Sequence, residues 1–157
     1  MKKTILVTVI IASSIMSFSQ NMNNLQIDKL LNESDKIDVI KSQLGYWIVS
    51  FYGKELNVIT DESHNRMRII SPITEEKNVK QKQYKEILQA QFHKALDVKY
   101  ALFNGYIWSA FVHPLKELSD NQFNDALWQV FMANANFGTS YKSAELQFGS
   151  GDEKGKR

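Results

Sequence analysis

The stretch VKYALFNGYIWSAFV, residues 98–112, constrains the fold more than any other part of the chain. Its apolar residues alternate, and Asn104-Gly105 interrupts the alternation at its middle. Asn-Gly is the strongest short hairpin signal, because a tight turn between twisted strands needs positive φ and these residue types adopt it at least cost. Pairing Phe103 with Tyr106 fixes the two faces. Val98, Tyr100, Leu102, Ile107, Ser109 and Phe111 share one side. Lys99, Ala101, Phe103, Tyr106, Trp108, Ala110 and Val112 share the other. A lone hairpin is barely stable in water, so the chain must extend it into a sheet and cover one face with helices.

YWIVSFYGKELNVIT (46–60) supplies a second hairpin. A two-residue turn at Gly53-Lys54 with glycine first predicts that Tyr52 faces Glu55, Phe51 faces Leu56, Val49 faces Val58 and Trp47 faces Thr60. Trp47, Val49, Phe51, Leu56 and Val58 then form a core face, and Tyr46, Ile48, Ser50, Tyr52, Glu55, Asn57 and Ile59 a mixed one. DESHN (61–65) is a turn cluster. Arg66 to Ser71 follows as a third strand, with Met67 and Ile69 inward and Arg66, Arg68 and Ile70 outward. That register sets Asp61 opposite Arg66, an opposite-charge pair favourable by up to about 1 kcal/mol. The arginines therefore read as the solvated side of a strand, one of them neutralised by Asp61; an anion site built on Arg66 and Arg68 is the competing reading. Pro72, which has no N–H for the ladder, is expected to end this strand.

Three helices complete the pattern. Asn24 to Leu44 has Ile27, Leu30, Leu31, Ile37, Ile40 and Leu44 at helical spacing, with a break expected at NESD (32–35) and Gly45 as the stop. Residues 78–97 carry Tyr84, Ile87, Leu88, Phe92, Ala95 and Leu96 along one stripe, with Lys80, Lys82, Lys85 and Lys94 on the other side. SDNQ at 119–122 is a capping box that opens the last helix, which runs through Phe123, Ala126, Leu127, Val130 and Phe131 and stops before Gly138. The expectation is an α+β domain of order α-β-β-β-α-β-β-α, an antiparallel sheet of about five strands packed against helices.

The first twenty residues, MKKTILVTVIIASSIMSFSQ, show Lys2 and Lys3, an apolar run from Ile5 to Ala12, and then small residues. This order is that of a cleavable signal peptide, and the apolar run is too short to span a bilayer. Ser17 and Ser19 place the cut between Ser19 and Gln20. The organisation expected is a signal peptide at 1–19, one domain at 20–148 and a polar tail at 149–157, in a periplasmic or secreted protein with no membrane insertion after cleavage. Removing Lys2 and Lys3 leaves 17 basic residues against 17 acidic ones. A formally neutral domain has no broad basic field for nucleic acid. The chain has no cysteine, so packing alone must hold it. A domain of this length buries about two-thirds of its unfolded surface, which suffices.

The order of elements, together with NRMRIISPI (65–73), QFHKALDVKYALFNGYIWSAFVHPL (91–115) and LSDNQFNDALWQVFMANANFGTSY (118–141), resembles the type III secretion chaperone-like superfamily, in particular its YbjN and Tir-chaperone-like branch. The likeness spans roughly residues 25–142 and rests on apolar positions around turns. It implies a small α+β domain that dimerises and binds another polypeptide, with no catalytic residues and no cofactor. The neutral charge and the export signal depart from cytosolic, acidic secretion chaperones.

Residues suited to catalysis are sparse. His64 lies beside Asp61 and Glu62, and a small periplasmic hydrolase or metal-dependent enzyme built on this turn is the alternative functional reading. Such a cluster is also what polar turns are made of. His93 and His113 sit on a helix flank and before Pro114, and no His-x-x-x-His spacing exists for a metal. No cysteine nucleophile, Gly-x-Ser-x-Gly elbow or glycine-rich phosphate loop is present. The favoured expectation is a non-enzymatic, chaperone-like polypeptide-binding module of the bacterial cell envelope. Its expected partner site is the outward sheet face: Phe103, Tyr106, Trp108, Val112, Tyr46, Tyr52, Arg66 and Arg68, with no metal.

Overall fold

The computed structural model describes residues 21–146, so the expected signal peptide, its cleavage point and the tail at 149–157 lie outside the described residues. The chain runs α1 (Asn24–Glu33), β1 (Ile37–Gln43), β2 (Tyr46–Phe51), β3 (Lys54–Asp61), β4 (Arg66–Glu75), α2 (Gln81–His93), β5 (Lys99–Phe103), β6 (Tyr106–His113) and α3 (Asp120–Ala135). All strands pair antiparallel in one sheet of order β1-β2-β3-β4-β6-β5.

The sheet thus has six strands, one more than expected. The extra strand comes from the segment assigned to the first helix. α1 stops at Glu33, and residues 37–43 pair with β2, Ile37 opposite Phe51 and Val39 opposite Val49. Ile37, Ile40 and Leu44 fit a helical spacing, but Ile37 and Val39 also fit a strand, and β-branched residues pack well on a pleated surface. A bulge between Val39 and Lys41 displaces Ile40, which lies exposed. Gly45, at φ +88°, closes the turn into β2 instead of capping a helix.

The first expected hairpin forms with a different turn. Phe51 pairs with Lys54 and Val49 with Leu56, so the turn residues are Tyr52 (φ 48°) and Gly53 (φ 76°). Both positive φ values are those of a I′ turn, the geometry that matches strand twist. The register differs from the expected one by two residues, and a slip of two preserves the faces. Trp47, Val49, Phe51, Leu56 and Val58 are accordingly buried. The β5–β6 hairpin has the expected register, Phe103 opposite Tyr106, with Asn104 and Gly105 at positive φ.

Strand β4 continues past Pro72 to Glu75, contrary to expectation. Its ladder with β3 ends at Ile70, and beyond that point β4 pairs with β6 alone. Where Pro72 has no N–H to give, Ser71 Oγ donates to the Glu55 carbonyl at 2.6 Å. The proline therefore ends one ladder without ending the strand.

The three helices pack against one face of the sheet. α1 lies on β1, α2 against β5, and α3 across β3, β4 and β6. Ile27 and Leu31 of α1, Ile87 and Ala90 of α2, and Phe123, Leu127 and Val130 of α3 join Trp47, Val58, Ile69 and Phe111 in a single core. The capping box forms as expected, Ser119 Oγ accepting from Gln122 N and Ser119 N donating to Gln122 Oε1. α2 ends at His93, four residues early, and Leu96 takes φ 43° in the turn to β5.

Candidate polypeptide-docking face

Side-chain alternation gives the sheet a second face, and among the described residues no helix lies over it. Its residues line up in rows across the strands. Ile48, Asn57, Ile70, Ala110 and Lys99 are successive partners in one row; Tyr46, Ile59, Arg68 and Val112 form the next. Pro72, Trp108 and Ala101 make a third, and Glu75, Tyr106 and Phe103 lie at the far end. Phe103 is 64% exposed, Val112 63% and Tyr106 40%, while Trp108 and Tyr46 are half-buried.

The hydroxyl, amide and indole groups of this face are turned onto partners within the chain. Tyr46 OH donates to Asn57 Oδ1 at 3.0 Å, and Asn57 Nδ2 donates to Glu55 Oε1 at 3.1 Å. Trp108 Nε1 donates to the Phe103 carbonyl at 3.1 Å, and Tyr106 OH to Glu75 Oε1 at 3.3 Å. Hydroxyls and indole N–H groups are thus satisfied within the chain, and what the face offers outward is aromatic and aliphatic surface beside the exposed side chains of Lys99, Arg66 and Arg68. Contiguous apolar surface of this kind marks interaction sites.

Seven of the eight expected site residues share this face. Tyr52 does not. In the I′ turn its ring swings to α3, with centroids 4.8 Å from Phe51, 5.7 Å from Trp128 and 5.5 Å from Phe131. It borders a separate cleft of about 590 Å³ between the end of α1, β1 and α3, lined by Leu30, Ile37, Leu127 and Trp128 among others. Trp128, 40% exposed, escaped the sequence reading because it flanks the Phe123–Leu127–Val130 stripe; a large aromatic beside a helical core stripe was the available signal.

Arg66 and Arg68 are both exposed at one end of the open face, as expected, but the expected neutralisation does not occur. Asp61 is opposite Arg66 in register. Its carboxylate instead accepts from Ser63 Oγ (2.6 Å), His64 N (3.0 Å) and His64 Nδ1 (2.7 Å). The Ser63 hydroxyl first, then the His64 bonds, hold the Asp61 carboxyl far below the usual carboxylate range. Arg66 Nη1 donates to the Asn65 carbonyl at 2.9 Å.

These bonds give each ligand-type side chain of the 61–64 turn a structural partner. Glu62 turns away and accepts from Asn24 N at 2.9 Å, tying the turn to the start of α1. Asp61 and His64 are brought together, and Glu62 is not. Among the described residues no group of three such side chains is placed to hold a metal, and no helix is long and apolar enough to cross a membrane.

On the apolar stripe of α2, Leu88 and Phe92 are 68% and 86% exposed, and Tyr84 is half-buried. They lie on the helix that packs against β5, the outermost strand of the sheet on that side.

No protein-family model matches the chain, and no curated protein matches it in sequence. Among solved structures, a chain of the HopA1–SchA chaperone–effector complex aligns with TM-score 0.55 and 14% identity, over 73% of this chain and 94% of that one. A chain of the ExsC–ExsE complex aligns at TM-score 0.48 and 7% identity, over 74% and 97% of the two chains, a similarity too low to add weight. The chain therefore has a type III secretion chaperone-like α+β fold.

Proposed function

We propose that this protein is a non-enzymatic, chaperone-like module that binds another polypeptide in the bacterial cell envelope, an exported relative of the YbjN and Tir-chaperone-like branch. The observation that carries the reading is the uncovered apolar face built from Tyr46, Ile48, Ile59, Ile70, Phe103, Tyr106, Trp108 and Val112. The solved chain of like fold comes from a complex described as chaperone and effector. Export is supported by the order of cationic, apolar and small residues at 1–19. Dimerisation is supported by the exposed Leu88 and Phe92.

The test pairs capture with stability. Trp108→Ala, with Val112→Ser as a second variant at a more exposed position, is expected to lose binding of an extended apolar peptide. The thermal midpoint should stay within a few degrees, because surface anchors contribute little to folding. Unfolding of both variants would make this face part of the core and end the reading. Intact mass of the exported protein tests the leader: a product starting at Gln20 is expected, and one retaining Met1 in the cytosol would contradict export.

A further inference from the structure

We propose that the Arg66–Arg68 end of the open face receives carboxylates of the bound segment, so that the partner is an acidic amphipathic polypeptide; this rests on reading the face as a polypeptide site. Among the described residues neither arginine takes part in an ion pair. The one acid set opposite them by register, Asp61, is committed to Ser63 and His64. Glu117, on the neighbouring loop, accepts from Asn65 Nδ2 at 3.0 Å. Arg66 spends one donor on the Asn65 carbonyl, and the Arg68 guanidinium makes no hydrogen bond among the described residues.

Two acids at the opposite end have partners within the chain. Glu55 accepts from Asn57, and Glu75 accepts from Tyr106 and pairs with Lys77. The positive charge of Arg66 and Arg68 at this end of the face is therefore paired with no acid among the described residues.

Arg68 stands in the row between Ile59 and Val112, beside an open depression of about 440 Å³ lined by those residues, Arg66, His64 and the Asp61 held by Ser63 and His64. A guanidinium over apolar neighbours pairs with a carboxylate more strongly than one in open water, and its planar fork takes the two oxygens together. Spacing names the ligand further. Arg66, Arg68 and Ile70 are alternate residues of β4 pointing to one face, about 7 Å apart per step. Trp108 and Ala110 flank the apolar end. An extended segment reading acid-x-acid followed by alternate apolar residues has the same repeat and the matching order.

The experiment uses the purified full chain and two fluorescein-labelled extended peptides, acid-x-acid-x-apolar-x-apolar and its lysine-x-lysine counterpart, followed by anisotropy. The acidic peptide is expected to bind about tenfold tighter, with an advantage that shrinks as salt rises from about 50 to about 200 mM. Arg66→Glu with Arg68→Glu should invert the preference, and both sites are exposed enough for the double variant to keep a wild-type circular dichroism spectrum. Equal binding of the two peptides, or an unchanged preference in the double variant, overturns the proposal. So does tighter binding of a polythymidylate oligonucleotide than of the acidic peptide. Trp108→Ala separates the two levels: if it weakens both peptides while neither is preferred, the polypeptide site stands and the acidic partner falls. If neither peptide binds the wild type, both fall together.

Discussion

Asp28 on α1 receives two hydrogen bonds on one oxygen, from Ser42 Oγ at 2.9 Å and from the indole of buried Trp47 at 2.8 Å. Removing it strands a buried N–H, which costs about 1–3 kcal/mol. Asp28→Ala should lower urea stability by that amount, and Asp28→Asn, which keeps an acceptor, by less. Asp61 illustrates a pH dependence. Its folded pKa is depressed, so its contribution is complete above the unfolded carboxylate value of about 3.9 and is lost as pH falls toward the lower folded value. The gap in thermal midpoint between wild type and Asp61→Asn should be present at neutral pH and close progressively in acid below that value. A gap that widens in acid would contradict the hydrogen-bonding assigned to the turn. The two hairpin turns show why some residues were legible in the sequence and others were not. Asn104-Gly105 announces positive φ by residue type. Tyr52 does not, because a bulky side chain rarely adopts it. The rings of Phe51, Trp128 and Phe131 hold it there, and no local pattern encodes that contact.

At the scale of elements, parity along a strand proved more legible than the identity of the element itself. Every inward residue expected of β2 and β3 is buried, even though the hairpin register differs by two, since a slip of two returns each side chain to its own face. Strand β1 was hidden because Ile37, Ile40 and Leu44 satisfy a helical period as well as a broken alternation, and what decides between them is an edge on β2 that lies elsewhere in sequence. Pro72 misled for a related reason, as its missing N–H matters to one neighbour only. The repair involves α3: Asn134 Nδ2 donates to Ser71 Oγ at 2.7 Å and to the Pro72 carbonyl at 2.8 Å, while Ser71 Oγ donates to Glu55. Asn134→Ala should cost about 1–3 kcal/mol in denaturant unfolding, since the Pro72 carbonyl and Ser71 hydroxyl lose a partner in a buried setting. A neutral result would mean that this relay does not pin α3 to β4.

Among the described residues the sheet has one helix-covered face and one open face, with a separate exposed apolar pair on α2. The proposed function assigns these surfaces two jobs, partner capture on the sheet and self-association through Leu88 and Phe92. Light scattering at roughly tens of micromolar should show a dimer, and Phe92→Glu should shift it to monomer, because a charge at an interface core is costly to bury; a wild-type monomer would contradict this assembly. Most of the open face was legible because the Asn-Gly turn fixes the parity of Phe103, Tyr106, Trp108 and Val112, whereas that no helix covers it depends on packing that local pattern does not encode. The chain's three tryptophans report on the three regions in question, Trp47 in the core, Trp108 on the open face and Trp128 in the cleft beside α3. The most direct test is a fluorine NMR spectrum of protein labelled with fluorotryptophan, recorded as an extended amphipathic peptide is added. Capture on the open face predicts that the Trp108 line moves with saturating dependence on peptide while the Trp47 and Trp128 lines stay in place; a stationary Trp108 line beside a shifting Trp128 line would contradict it.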